Sequence, residues 1–228
     1  MGGKAFPLRR RDPAEPDQLA RRLFLGSLAC GLASPLALAQ ALLPQTPAQT
    51  AGPFYPPVLP LDDDADLTRV RGIVGRAEGR VVELAGRVLD SSGRPVSGVR
   101  VEIWQCDANG RYRHPAERGS APLDPCFQGH GQALTDALGR YRFRTIRPVA
   151  YPGRTPHIHA AVLPPGAESL VTQIYVRGEP ANREDFLFNR LPLEQRELVL
   201  AEFRPTDLPD AEFSANFDFV LGQLPAQG

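Results

Sequence analysis

The sequence predicts an all-β fold, an antiparallel β-sandwich with long loops and little helix. Three observations carry that reading. Apolar and polar residues alternate in short runs, each closed by a turn cluster. Proline (24) and glycine (21) are both abundant, which favours strands and loops over long helices. No regular helical spacer separates the runs, as a parallel α/β sheet would require. With 42% hydrophobic residues, a chain of 228 can bury a full core.

Residues 1–39 read as an address rather than part of the fold. Arg21-Arg22-Leu23-Phe24-Leu25 precedes a short apolar run that ends at Ala37-Leu38-Ala39. A charged stretch, an apolar stretch and a small-x-small end form a secretory signal, and the paired arginines suggest the twin-arginine type. Cleavage after Ala39 would leave Gln40 first and send the chain to the periplasm or outside. The run is too short and too interrupted by Gly26, Gly31 and Pro35 to predict a stable membrane span. An uncleaved anchor and a lipid at Cys30 are the weaker alternatives. The formal net charge is zero, so nucleic acid is not an expected partner. Of the 26 basic and 26 acidic residues, six and three fall in 1–39, leaving 20 and 23 in the rest.

Residues 40–79 read as an extended arm, with prolines at 44, 47, 53, 56, 57 and 60. Its Asp62, Asp63, Asp64 and Asp66 lack the glycine and distal glutamate of an EF-hand, which favours a solvated loop over a calcium site. The sandwich is expected over 80–228. Val81 to Asp90 is the first strand, and Ser91 to Pro95 turns the chain. Val99 to Ile103 alternates and runs on to Gln105, where Asp107-Ala108-Asn109-Gly110 breaks it. Tyr141 to Thr145, His157 to Val162 and Leu170 to Val176 are further strands. Short helix is expected near Leu193 to Leu198, and a closing strand over Phe217 to Leu221. Cys106 and Cys126 are an even pair in an oxidising compartment, and a disulfide and two separate thiols both remain open.

The chemistry concentrates in residues 151–159, Tyr-Pro-Gly-Arg-Thr-Pro-His-Ile-His. On a strand, alternate side chains share a face. His157 and His159 therefore emerge together, toward a cavity, while Ile158, Ala160 and Val162 face the core. Paired imidazoles are half of a transition-metal site. No HExxH is present for zinc, and no nearby carboxylate completes a facial triad for Fe(II). Tyr151 flanks the pair, and Tyr112 follows a strand-ending turn. A phenol, pKa about 10, gives up its proton only to an acidic cation. Two phenolates and two imidazoles would select Fe(III), provided that the four side chains converge. A non-catalytic sandwich that binds a ligand on one face, or a zinc or copper protein using the His pair, are the competing readings. His114 and His130 are expected at the surface. Tyr55 either closes over a pocket or packs at the domain edge.

Taken together, Gly52-Pro53-Phe54-Tyr55, Val101 to His114, Ala121 to Pro125, Leu134 to Pro148, Tyr151-Pro152, His157-Ile158-His159 and Thr172 to Tyr175 resemble the intradiol ring-cleavage dioxygenases. The likeness is strongest to the β chains of protocatechuate-type enzymes and spans roughly residues 50–180. It implies Fe(III) as cofactor, with Tyr112, Tyr151, His157 and His159 as its ligands. It implies catalytic roles for Tyr151, as a ligand that leaves and takes a proton, for Arg154, as a fixed positive charge, and for Gln173 in the pocket. The implied reaction opens a catechol-type ring between its two hydroxyls with O2, giving a cis,cis-muconate-type diacid. A small aromatic diol and O2 are thus the implied partners, with homo-oligomerisation left open. The chain departs from that pattern in a shorter loop between Tyr151 and Arg154, and in its leader.

Overall fold

The computed structural model describes residues 42–59 and 62–222. The leader, with its paired arginines, Cys30 and the Ala39 cleavage point, lies outside the described residues. Ten strands follow in order: β1 (Val81–Leu89), β2 (Arg100–Trp104), β3 (His130–Leu134), β4 (Arg140–Ile146), β5 (His157–Leu163), β6 (Leu170–Val176), β7 (Leu200–Ala201), β8 (Phe203–Pro205), β9 (Phe213–Asn216) and β10 (Phe219–Val220). Two short helices, α1 (Phe186–Arg190) and α2 (Leu193–Arg196), lie between β6 and β7. The expected helix near Leu193 is α2. Helix α1 was not expected; Asp185 caps it by accepting from the N–H groups of Leu187 and Phe188.

The strands form two five-stranded sheets. In the first, β1 pairs with β4 on one side and with β9 and β10 on the other, and β8 lies outside β9. The second runs β3-β2-β5-β6-β7. All-β holds, but the sheets are mixed. β1–β9, β1–β10 and β6–β7 are parallel. The reason is connectivity: β7 reaches β6, and β9 reaches β1, only after long stretches of chain, as a parallel return requires, and β10 continues β9 along β1 after Phe217 and Asp218.

Alternation places the core. Val82, Leu84 and Val88 of β1 and Phe143 and Ile146 of β4 meet Val101 and Ile103 of β2, Ile158, Ala160 and Val162 of β5, and Ile174 of β6. All eleven are fully buried. Each apolar side chain removed from water contributes about 1.5–3 kcal/mol, so this layer holds the two sheets together.

The other face of the second sheet is also covered, and this covering positions the site. The arm runs over it in irregular, extended backbone. Its Thr46 N–H donates to Val220 O and its Gln49 N–H to Val171 O, while Thr172 Oγ1 donates to Pro47 O. Further along, Asp66 bridges to Arg144 of β4, and Gln132 N–H of β3 donates to Asp63 O, so the arm also joins the two sheet edges. Asp64 and Asp66 cap their own turns through the N–H groups of Asp66 and Thr68. Among the described residues no helix is long and apolar enough to cross a membrane.

Candidate metal centre

Strand register puts the centre in a row across the second sheet. His159 stands opposite Trp104 on one side and Gln173 on the other; His157 stands opposite Tyr175. His157 and His159 are both 1% exposed. Their Nε2 atoms face each other at 3.2 Å, with ring centroids 4.7 Å apart. Trp104 stacks on the His159 ring at 5.0 Å and 7°.

The two phenols come from loops. Asp107 shapes the first: its Oδ1 accepts from the N–H groups of Asn109 and Arg111, and its Oδ2 from Asp124 N–H. Tyr112 leaves that turn buried, its ring 6.2 Å from His159. Tyr151 opens a tight turn in which Pro152 and Gly153 take the middle positions and Arg154 N–H donates to Tyr151 O at 2.9 Å. Gly153 has φ 78°, which suits glycine and the type II pattern. The turn sets the Tyr151 and Arg154 side chains together, Nη1 to phenol oxygen at 3.3 Å. The Tyr151 ring lies 5.5 Å from His157 and 5.3 Å from Tyr112. The four rings thus converge.

Arg154 is locked rather than free. Its Nε donates to Asp185 Oδ2 at 2.8 Å and its Nη2 to Gln173 Oε1 at 2.5 Å. Side-chain exposures of 7% and 0% make Arg154–Asp185 a buried ion pair. Gln173 is fully buried, accepts also from the Tyr175 hydroxyl, and donates to Thr50 O. Asp185 and Tyr175 were not expected as site residues. Tyr175 had a signal, since two positions beyond Gln173 on one strand means the same face. Asp185 had only its helix-cap position, which says nothing of an arginine 31 residues earlier.

The arm closes the centre. Gly52, at φ 69°, lets the backbone approach so near that an added Cβ would stand 3.4 Å from His159 Cε1. Phe54 stacks on Tyr112 at 4.6 Å. Tyr55 packs edge-on to Trp104 at 4.9 Å, and its hydroxyl donates to Glu102 Oε2 at 2.8 Å. Of the two readings for Tyr55, packing against the sheet is the observed one. His130 departs from expectation: it is 1% exposed, 3.6 Å from Glu102, beneath Tyr55. β3 lacks the apolar alternation that marks a buried strand, and only the arm covers it. His114 is half-buried, its Nδ1 accepting from Ala116 N–H. Cys106 and Cys126 are free thiols, next to Val149 O and Val74 O respectively.

Burial decides the electrostatics. It pushes the Tyr112 phenol well above its ordinary pKa, with Cys106 and Tyr151 adding to the rise. It raises Tyr151 as well, against the opposing pull of Arg154. It lowers His157 to about 4 and His159 well below the ordinary imidazole value, Arg154 adding to both. For Asp185 burial acts upward, but the Phe188 N–H, Arg154 and the Thr155 N–H outweigh it and hold the carboxyl below its usual value.

The residues fit a hard trivalent cation. A carbonyl only accepts, so His157 Nδ1, 2.6 Å from Thr155 O, carries the proton and Nε2 keeps its lone pair. That lone pair faces His159 Nε2. Both rings are neutral, and the Tyr112 hydroxyl beside them is buried without a hydrogen-bond partner. A buried, orphaned hydroxyl costs stability unless something ligates it. A cavity of about 1000 Å³ opens from Tyr112, Tyr151 and Arg154 toward solvent, the imidazoles lying behind the phenols.

A β-sandwich carrying two phenols, two neutral imidazoles and a locked arginine at the floor of a cavity defines the class: an enzyme acting on small molecules, with a donor set suited to a metal. The comparisons narrow it. The dioxygenase family model matches residues 50–223, and the chain belongs to that family, in its intradiol branch. The chain is 42% identical over 180 residues to the protocatechuate 3,4-dioxygenase beta chain of Burkholderia cepacia, covering 73% of this chain and 77% of that one. It is 34% identical over 155 residues to the hydroxyquinol 1,2-dioxygenase of Corynebacterium glutamicum, covering 59% of this chain but only 47% of that enzyme. Among solved structures, the dioxygenase domain of a dioxygenase carbohydrate-binding protein fusion from Streptomyces sp. SirexAA-E matches with a TM-score of 0.59 and 32% identity, over 78% of this chain and 99% of that domain.

Proposed function

We propose that this chain opens a catechol-type ring between its two hydroxyls with O2, giving a cis,cis-muconate-type diacid, at a ferric ion held by Tyr112, Tyr151, His157 and His159. The convergence of two phenols and two neutral imidazoles on one buried point carries the reading. When bound, Fe(III) supplies Lewis acidity toward the diol and makes phenolate ligands stable at neutral pH.

The chain's own residues do the rest. Tyr151 is the more open phenol, on the cavity wall, and is placed to take a proton from a substrate hydroxyl. The Arg154 guanidinium, 3.3 Å from its oxygen, favours the phenolate before the transfer and stabilises anionic substrate after it. Such fixed charge, at the floor of a site, is worth roughly 3–4 kcal/mol. Asp185 and Gln173 hold that guanidinium in place, so no reorganisation is needed during the reaction. Trp104 and Phe54 keep water from His159 and Tyr112. The apolar run and paired arginines of residues 1–39 support export to the periplasm or outside by the twin-arginine route, with cleavage after Ala39.

The test is O2 uptake by purified protein against catechol, hydroxyquinol, protocatechuate and chlorinated catechols, with metal analysis and visible spectra. One iron per chain, a burgundy colour from tyrosinate-to-iron charge transfer and ring-opened diacids are expected. A colourless preparation that holds zinc, copper or no metal would overturn the reading. Mass spectrometry of the exported protein should find Gln40 at the N-terminus.

A further inference from the structure

The cavity is much larger than a single ring requires. About 150 Å³ of apolar space suffices for benzene, against about 1000 Å³ here. The surplus lies toward Phe186 and Leu187 at the start of α1 and toward the loop carrying Glu117 to Ala121.

Charge in that surplus space is one-sided. Arg111, Arg118, Arg154 and Arg190 line the cavity with a single carboxylate, Glu117. Arg111 is committed to Glu117 and to the Ala121 carbonyl. Arg154 is committed to Asp185 and Gln173. The other two are uncommitted: Arg118 donates only to the Pro115 and Glu117 carbonyls, and among the described residues Arg190 makes no ion pair and lies over the Phe186 ring. Residues 40–228 carry fewer basic than acidic side chains, so this concentration of guanidinium is local to the cavity.

Phe186 connects the inner and outer ends. Its ring is 53% exposed. The Arg154 guanidinium lies 5.6 Å from its centroid and that of Arg190 5.5 Å. Arg154 touches Tyr151, whereas Arg190 stands beside the same phenyl ring and, among the described residues, makes no hydrogen bond to the four converging rings. An exposed aromatic flanked by an occupied and an unoccupied cation suits a ligand that is apolar along its length and anionic at its tip.

We infer that the preferred substrate is a catechol-type ring bearing a side chain that ends in a carboxylate, the chain lying along Phe186 and Leu187 and the carboxylate meeting Arg118 and Arg190. This rests on the ring-opening reading and extends it to a substrate class. A carboxylate bonded directly to the ring lacks the reach of a side chain toward Arg118 and Arg190 and would face Arg154, most of whose donors are engaged.

The test compares kcat/KM for 3-(3,4-dihydroxyphenyl)propionate with that for its methyl ester, using the iron-loaded full chain. The acid should exceed the ester by about tenfold at low ionic strength, the order for a carboxylate shared by two partly screened guanidiniums. Added salt should shrink the ratio. In the R118Q/R190Q double variant it should approach one, through KM, and R190K should keep most of it. Equal values for acid and ester, or a ratio that survives in the double variant, would overturn the inference. Turnover of the ester and of 4-methylcatechol reports the ring-opening reading separately. If neither is consumed, calorimetric binding of the acid and of its amide still reads the subsite, and equal affinities would overturn it.

Discussion

The outer faces of the two sheets began from the same kind of pattern and ended in opposite environments. On the first sheet, Arg87, Arg140 and Arg142 are exposed, with their guanidiniums in water beside Asp218, Asp136 and Glu83. On the second, Glu102, Trp104, His130, His157, His159 and Gln173 are no more than 1% exposed. Alternation says only that a side chain points away from the core. Whether that direction leads to water depends on where the connections lie. Here the arm, the 105–129 loop and the 147–156 turn all cross the second sheet. Polar groups on that face have lost water, and each must find a hydrogen bond, a partner charge or a metal. On the first sheet most of them keep water, and the one carboxylate that does not, Glu83, is held by Arg144.

The sharpest way to break this comparison is to remove a group from the dry face. His159→Ala takes away one of two facing nitrogens and should reduce bound iron to background and abolish the charge-transfer band, measured by metal analysis and visible spectroscopy. Retained iron and colour would mean that the face holds no ligand set. Asp185→Ala should come next. It leaves the Arg154 guanidinium buried and unpaired, which costs about 3–5 kcal/mol, read as a large fall in denaturation midpoint and a loss of kcat/KM. A shift below 1 kcal/mol would show that the pair is wetter than 7% and 0% exposure imply.

Acid titration of the metal-free chain should rank the two regions. His157 has its pKa lowered to about 4, so the unfolded chain binds its proton first. That stability is complete above the ordinary value near 6.5 and is lost as pH falls from there toward 4. Asp90, which closes the turn after β1, titrates lower. Burial acts to raise it, but the Ser92 hydroxyl and Arg94 outweigh this and bring it to about 2, so its contribution is lost between 3.8 and 2. Hydrogen exchange followed during titration should therefore show the β5 region opening before the 90–94 turn, and the reverse order would refute the assignment.

Two smaller effects complete the contrast. Tyr55→Phe deletes the hydroxyl that Glu102 accepts, a hydrogen bond to a buried carboxylate worth about 1.5–3 kcal/mol. The loss should appear in chemical denaturation and as faster release of iron to a chelator. Arg142→Ala, on the wet face with 79% of the side chain exposed and a 3.9 Å contact to Glu83, should stay within about 0.5 kcal/mol of the parent. A larger change there would erase the distinction between the faces.

Legibility in the sequence follows the same division. The His157-Ile158-His159 spacing was readable because period-two alternation is local, and Ile158 did enter the core. Gln173 was legible as a pocket residue through resemblance alone; its partner Tyr175 was readable two residues along the same strand, whereas the contact with Arg154 needed the 151–154 turn to meet β6. His130 was misread because β3 carries no apolar alternation and its cover comes from residue 55. The strand expected over Phe217 to Leu221 is β10, but its parallel pairing with β1 has no local signal, and β7 and β9 were missed because they are only two and four residues long.

By itself the sequence determined the all-β architecture, the core faces of the long strands and the two histidines that share one face, because each depends on neighbours within a few residues. Only the tertiary structure decided that those histidines lie in a dry pocket with Tyr112 and Tyr151, that Asp185 holds Arg154, and that among the described residues Arg118 and Arg190 are left without carboxylate partners. Those facts depend on which loops cover which sheet, and on contacts between residues dozens of positions apart. No local pattern encodes them, because desolvation and charge pairing act through space rather than along the chain.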